Sequence, residues 1–570
     1  MRTLSVIACL AALVTHARGM AQPRPDAAES IWMNARIYTM DQAFPRAEMI
    51  AVADGRVLTV GRNADIARWS GPETTIYDMK GATLLPGIID AHGHVAGLGA
   101  FAMGVLDLSA ATSFEDLVTG VAARARVERE GAWIRGGRWD QASWKFPDGR
   151  AAELPHHHML SEAVPRHPVW LRRVDGHAAL ANAEAMRRAG ITRNTPNPPG
   201  GEILRDATGE PTGVFIDNAM RLIERVIDTP TPRYRDLVLR AQEVCLSVGL
   251  TGVHDAGISP EEAEIYQQMA KDGELKMRVY GLLGARDAAW TADHIASHAP
   301  IVGEFFTFRA VKMYMDGAMG SRGAWLLEAY TDRPKDESGE AYTGLNVRPP
   351  ADVRLVGEAA IRHGWQICTH AIGDRANREV LDQYAQVLRQ RGTVEHPHRF
   401  RVEHAQLLHP DDIGRFAAMG VIASMQPRHC ATDQRWVEAR VGPARAKGAY
   451  AWASLLDAGA VLAFGSDFPV EPPSPWLGFH AAVTREEPAG GPAGGWQPQE
   501  RLTREQTLHA FTLGAAYAGF EEDVKGSLVP GKYADFIVID RDVMTCPEED
   551  IPGTRVLWTV VGGKVVFSAQ

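Results

Sequence analysis

Apolar and polar positions follow two textures along this chain. Residues 30–83 break into short apolar runs (31–38, 49–52, 56–60), and the last two are joined by Asp54-Gly55, a dipeptide that favours a tight hairpin. The end of the chain has the same texture, with runs at 533–540 and 556–566 around Gly531 and Gly562-Gly563. Neither end has enough strands to build a core alone. The two ends are therefore expected to form one composite β-sandwich domain, residues 30–83 plus 525–570.

Between 84 and 524, strand-like apolar runs alternate with amphipathic helical stretches. The runs are 84–92, 250–255, 277–283, 308–315, 365–370, 399–404, 421–425 and 460–465; helices are expected at 233–248, 351–363, 376–389 and 450–457. Eight such units place the chain in the α/β class and predict a (β/α)8 TIM-like barrel with its site at the C-terminal strand ends. An open doubly wound sheet is the alternative, but no glycine-rich phosphate loop follows the first run. Roughly 150 residues separate the first two runs, far more than an ordinary connection. Residues 101–248 are therefore expected to contain an inserted subdomain over the barrel mouth that helps form the substrate pocket; the alternative is a remote surface decoration.

Composition changes this picture little. The chain has 570 residues, 45% hydrophobic and 23% charged, as in globular proteins. Its formal charge of −10 is dispersed without a Lys/Arg run, which argues against a nucleic-acid partner. Residues 1–21 read as a signal peptide: Arg2, an apolar stretch over 4–14, and the small-x-Ala pattern Gly19-Met20-Ala21. The apolar stretch is too short to span a bilayer. The expectation is an exported, periplasmic protein with no membrane association once the signal is removed. Beyond Cys9 in that leader, Cys245, Cys368, Cys430 and Cys546 are widely spaced and read as free thiols.

The chemistry gathers at the strand ends. His92 and His94 share a face at the end of the first run and make half a metal site. Lys312 lies in the fourth run among Val and Met, on one face with Tyr314 and Asp316. A lysine there is either paired, with Asp316 for example, or carboxylated by CO2 into an anionic ligand that bridges two metals. His370 and His404 close the fifth and sixth runs, and Asp467 follows the eighth. Six candidate ligands exceed one tetrahedral site and suit two borderline divalent ions such as Zn2+. Asp467 is also placed to take a proton from the attacking water.

Asp90-Ala91-His92-Gly93-His94, the Lys312 strand with Asp316-Gly317-Ala318, Thr369-His370-Ala371-Ile372-Gly373-Asp374, Arg401-Val402-Glu403-His404-Ala405 and Gly465-Ser466-Asp467 together resemble the amidohydrolase superfamily. The likeness is to its amidohydrolase-3 branch, the YtcJ-like and N-substituted formamide deformylase-like proteins. It runs from about residue 30 to the C-terminus and includes Trp139 and Asp175-Gly176-His177. The resemblance implies a distorted barrel with a composite β-sandwich, and hydrolysis of an amide or other non-peptide C–N bond through a metal-activated hydroxide. It also implies that His92, His94, carboxylated Lys312, His370, His404 and Asp467 form the metal site, with Asp467 the general base. His177 is a further catalytic candidate, as a residue that touches substrate or leaving group. Tyr314, Asp316, Arg322 and His429 are weaker pocket candidates; Trp139 and Trp144 are pocket wall or core, and His156-His157-His158 is read as surface. Partners are expected to be a small-molecule substrate and, as the assembly to test, a second copy in a homodimer. An ester, lactone or cyclic-amidine hydrolase uses the same ligands, and a non-catalytic exported binding protein would show an incomplete set.

Overall fold

The computed structural model describes residues 27–144, 153–228, 233–336, 338–390 and 397–569; the signal-peptide reading of residues 1–21 lies outside them. Among the described residues, no helix is long and apolar enough to cross a membrane. Of the cysteines, Cys245, Cys368 and Cys430 are buried, Cys546 is half-buried, and all four are free.

All eight apolar runs contribute a strand to one sheet: β1 (Ile88–Gly93), β2 (Leu250–Ile258), β3 (Arg278–Gly284), β4 (Phe306–Tyr314), β5 (Gln366–Ala371), β6 (Arg401–His404), β7 (Ile422–Met425) and β8 (Leu462–Phe464). They lie in chain order and every neighbouring pair is parallel. The expected helices also form, at Tyr234–Ser247, Pro350–His363, Asp374–Arg389 and Trp452–Asp457. Covered by helices outside and side chains inside, β5, β6 and β7 are buried at every residue, which is why they read as unbroken apolar runs. The seam between β8 and β1 closes just beyond the strand ends. There Gly93 and Phe468 form a parallel bridge, Asp467 N–H donates to the His92 carbonyl at 2.7 Å, and His94 N–H donates to the Phe468 carbonyl at 2.7 Å. The architecture is a distorted (β/α)8 barrel.

The first run differs from expectation, because 84–92 is two strands rather than one. Thr83–Pro86 pairs with Phe536–Ile539 and Arg36–Tyr38 in a six-stranded sheet built from both ends of the chain, whereas β1 pairs with β2. Gly87 separates them, and a Cβ there would stand 2.1 Å from Thr251 Oγ1. Both strands are fully buried, so hydropathy alone does not reveal the break.

The six-stranded terminal sheet packs with a four-stranded one (Arg56–Gly61, Met49–Ala53, Ser30–Met33, Thr75–Asp78) around Trp32, Ile50, Phe536 and Val538. Its hairpin turn has Asp54 at φ 51° and Gly55 at φ 71°, the positive pair that a two-residue turn requires. A buried ion pair, Arg278 Nε to Asp535 Oδ2 at 2.6 Å, fastens β3 to this domain.

Between β1 and β2 lies another six-stranded sheet, from Leu106–Asp107 to Pro211–Asp217, with its own core around Leu117, Val121, Trp139 and Leu171. Trp139 and Trp144 belong to that core.

Candidate metal centre

β1 delivers His92 fully buried into the barrel. Its Nδ1–H donates to Glu403 Oε2 at 2.5 Å, which leaves Nε2 with a free lone pair. Lys312 Nζ, from β4, is 2.9 Å from that nitrogen, and Asp467 Oδ1 is 3.7 Å from it. His94 stands one residue past β1, and its Nε2 is 3.1 Å from the same Asp467 oxygen.

At the end of β6 the backbone turns through the left-handed region at His404 (φ 73°) and Ala405 (φ 43°), and Asp467 does the same at φ 61°. Non-glycine residues rarely adopt that conformation without surrounding structure that enforces it. At Asp467 the enforcement is visible. Buried Asp90 accepts from Ser466 N–H (3.0 Å), Ser466 Oγ–H (2.6 Å) and His92 N–H (3.1 Å), locking the turn after β8 onto β1. His404 Nδ1–H donates to Gln426 Oε1 at 2.7 Å and leaves Nε2 free. His370, at the end of β5, directs Nε2 at the Gly317 carbonyl (3.4 Å), so Nδ1 is its free nitrogen. The rings form one contiguous group: His92 to His404 at 4.8 Å, His370 to His404 at 4.5 Å, His92 to His94 at 5.6 Å.

Six sequence-predicted side chains thus meet in one place, and a seventh joins them. His429, on the helix Pro427–Asp433 after β7, puts Nε2 3.8 Å from Asp467 Oδ2. Two trios, His92/His94/Asp467 and His404/His429/Asp467, have ligand atoms mutually within 4.8 Å, and Asp467 is common to both. Asp467 Oδ1 and His429 Nε2 are buried without a well-formed hydrogen bond. Orphaned atoms of this kind, on converging imidazole and carboxylate donors, fit a divalent metal.

The electrostatics agree. Burial, with Lys312 adding repulsion, pushes His92 down to about 4, and burial holds His370 and His404 well below the usual imidazole range. Neutral imidazoles are the ligand form. Burial alone would raise Asp467, but the close approach of His94 Nε2, with His92 and His404 around it, holds it well below the ordinary carboxylate range. Burial also lowers the Lys312 ammonium. The pairing of Lys312 with Asp316 that the sequence left open does not occur. Asp316 instead accepts from the backbone N–H groups of Ile372 (3.0 Å), Gly373 (2.8 Å) and Trp325 (2.8 Å).

The insertion reaches the same place. His177 Nδ1 pairs with Asp217 Oδ1 at 2.6 Å, and its ring is 4.8 Å from that of His370. A Cβ on Gly317 would come within 2.1 Å of Asp217 Oδ2, so the loop after β4 packs directly on this carboxylate. Together they line a cavity of about 810 Å³ with His94, Lys312, Tyr314, Asp467 and the insertion's Arg135 and Arg172. Arg322 instead pairs with Asp332 outside it.

Sequence reasoning missed Glu403, Gln426 and Asp217. Glu403 had a visible signal: Arg401 and Glu403 are charges at alternate positions of an apolar strand, and both are fully buried.

Comparison with known proteins accords with this geometry. The model of the amidohydrolase family matches residues 75–567. The chain is 34% identical to protein LONG AFTER FAR-RED 3 of Arabidopsis thaliana, covering 96% of this chain and 93% of that one. It is 32% identical to the putative amidohydrolase YtcJ of Bacillus subtilis (95% and 99% covered) and 28% identical to the N-substituted formamide deformylase of Arthrobacter pascens (93% and 97%). Among solved structures, an uncharacterized metal-dependent hydrolase from Pyrococcus horikoshii superposes with a TM-score of 0.70 at 26% identity, covering 91% of this chain and 99% of that one. This chain belongs to the amidohydrolase family, in its amidohydrolase-3 branch, and is a hydrolase.

Proposed function

We propose that this hydrolase cleaves an amide or other non-peptide C–N bond of a small molecule, with N-substituted formamides as the first substrates to test. One observation carries the reading: Asp467 stands between two groups of imidazoles, within 4.8 Å of each, on the wall of an open cavity. His92, His94, His370, His404, Asp467 and a carboxylated Lys312 would hold two Zn2+ ions, with His429 within reach. Such ions polarise a carbonyl and acidify water. Asp467, kept ionised by its imidazole neighbours, accepts the proton from the attacking water and returns it to the departing nitrogen. His177, oriented by Asp217, faces the substrate from the insertion and supplies a hydrogen bond to its carbonyl or leaving group. The relative named as a deformylase supports the choice of bond.

The cavity wall also points to the substrate's charge. Arg172 is held by Glu224, but among the described residues Arg135 and Arg221 line the cavity with no ion-pair partner. An anionic group on the substrate would pair with them. The test is turnover of N-formyl and N-acyl compounds, with and without a carboxylate, by protein of measured metal content before and after chelation. Hydrolysis of esters or lactones alone would overturn the C–N assignment, and activity that survives complete metal removal would overturn the site.

A further inference from the structure

The histidine run His156-His157-His158, read from sequence as surface, is placed in the structure as a second constellation separate from the cavity. His156 and His157 are half-buried and only His158 is exposed. His157 takes a helical conformation (φ −66°, ψ −12°) just before the helix His158–Ala163, and the turn folds the three rings together. The centroid separations are 3.7 Å for His156–His158 and 4.8 Å for the other two pairs. One nitrogen from each ring lies within 4.8 Å of the other two.

Two features set this apart from a chance cluster. Both ring nitrogens of His156 are buried and have no hydrogen-bond partner among the described residues, a costly state for an imidazole that binds nothing. A carboxylate also faces it: Asp206 Oδ2 is 3.9 Å from His156 Nε2. The other Asp206 oxygen is fully engaged, accepting from Thr208 N–H (2.8 Å), Thr208 Oγ–H (2.7 Å) and Glu210 N–H (3.0 Å). His157 is oriented as a metal ligand is, with Nδ1 held by Ser161 Oγ at 2.8 Å and Nε2 left over. Ligand atoms around a tetrahedral ion with bonds near 2 Å stand roughly 3.3 Å apart, so the three histidine nitrogens, now within 4.8 Å of one another, would draw together around an ion and Asp206 would close on it from the His156 side.

We propose that His156, His157, His158 and Asp206 bind a borderline divalent cation of the Zn2+ type, a structural site that fastens the insertion. The four residues come from two pieces of chain, the turn before His158–Ala163 and the hairpin between Gly201–Arg205 and Pro211–Asp217. The histidine turn already grips that hairpin: His157 N–H donates to the Thr212 carbonyl at 2.8 Å, and Gly213 (φ 91°) lies where a Cβ would meet His157 Cβ at 2.7 Å. The strand after the hairpin ends at Asp217, the partner of His177. An ion here would hold the subdomain that carries His177 to its place without touching substrate.

The test uses the full chain, stripped by chelator and reloaded with Zn2+. The double variant His156→Ala/His158→Ala leaves the cavity residues intact. It is expected to retain one fewer zinc per chain than the unaltered protein after gel filtration, and to lose part of the Zn2+-dependent rise in Tm. A site-resolved readout covers the case in which the variant misfolds: in the unaltered protein, micromolar Zn2+ should slow diethyl pyrocarbonate modification of His156–His158 about tenfold or more. Equal zinc content in both proteins, or modification slowed only at millimolar Zn2+, would mark the cluster as an adventitious binder and overturn the proposal.

Discussion

Glu403 accepts a 2.5 Å hydrogen bond from Nδ1 of His92, and Arg401 pairs with the same carboxylate at 2.7 Å, all three side chains fully buried inside the barrel. The carboxylate fixes the His92 tautomer that leaves Nε2 free for a metal, and the arginine keeps the carboxylate ionised. In Glu403→Gln the amide can turn its NH2 toward Nδ1, which would put the proton on Nε2, and Arg401 would lose its counter-charge. Metal affinity is expected to fall about 10–100-fold. Tm should also drop, because an unpaired buried charge costs about 3–5 kcal/mol. Competition with a chromophoric chelator reads the first effect and thermal unfolding the second. An unchanged dissociation constant would leave Glu403 as packing only.

Strand-end reasoning located the ligands because parity and position are written in the sequence: His92, His370 and His404 each close an apolar run, and Asp467 follows one. What it missed depends on long-range contacts. Glu403 matters through His92, 311 residues away, and Asp217 through His177, 40 residues away, and no local pattern pairs them. His429 is only a weaker pocket candidate in the sequence, because it sits on a helix after β7, where a histidine carries no periodic signal. The break at Gly87 was hidden for another reason: two buried strands in different sheets look alike when only hydropathy is read.

Lys312 is 1% exposed, its ammonium is destabilised by burial, and among the described residues it makes no ion pair with a carboxylate. A neutral amine is the form that adds CO2, and the carboxylated side chain of the proposed centre would supply oxygens to two ions. Metal-free protein reloaded with Zn2+ in CO2-free buffer should therefore recover little activity, and added bicarbonate should restore it several-fold. Lys312→Met should be inactive in both buffers. Equal recovery with and without bicarbonate would show that Lys312 acts as an unmodified amine.

Among the described residues Arg135 has no ion-pair partner at the cavity wall, while partial desolvation of its guanidinium and the nearby Arg172 both lower its affinity for its proton. A bound anion would relieve that repulsion. For a substrate bearing a carboxylate, Arg135→Ala is expected to raise KM about tenfold with kcat nearly unchanged, the loss expected for one charge-assisted hydrogen bond. For a neutral analogue the same variant should leave KM unchanged. If both substrates are affected equally, the residue shapes the cavity and does not read charge.

The insertion's helix Ala183–Ala189 offers a pH test. Hydrogen bonds from Arg187, with Arg188 adding to them, pull Glu184 down to about 2 from 4.5. A carboxyl depressed in the folded state contributes stability that is present above pH 4.5 and lost as pH falls from there toward 2. The difference in Tm between the unaltered chain and Glu184→Gln should therefore be largest near neutrality and vanish toward pH 2. It should also shrink in high salt, since the Arg187 side chain is 71% exposed. A difference independent of pH would mean that the substitution acts through packing.

Gly87 joins the terminal sheet to the barrel, and its backbone lies so close to β2 that a Cβ would stand 2.1 Å from Thr251 Oγ1, 2.5 Å from Cγ2 and 2.8 Å from Cβ. Thr251 is itself buried, and its hydroxyl donates to the Ile88 carbonyl at 3.3 Å, so it has no open space to move into. Gly87→Ala is expected to destabilise the protein by about 1–3 kcal/mol through overpacking, read as a lower denaturant midpoint at unchanged slope. Two of the three clashing atoms disappear in Thr251→Ala, so the double variant Gly87→Ala/Thr251→Ala should recover part of the loss relative to the sum of the single variants. Strict additivity would place the cost in the backbone of the connection and not in this contact.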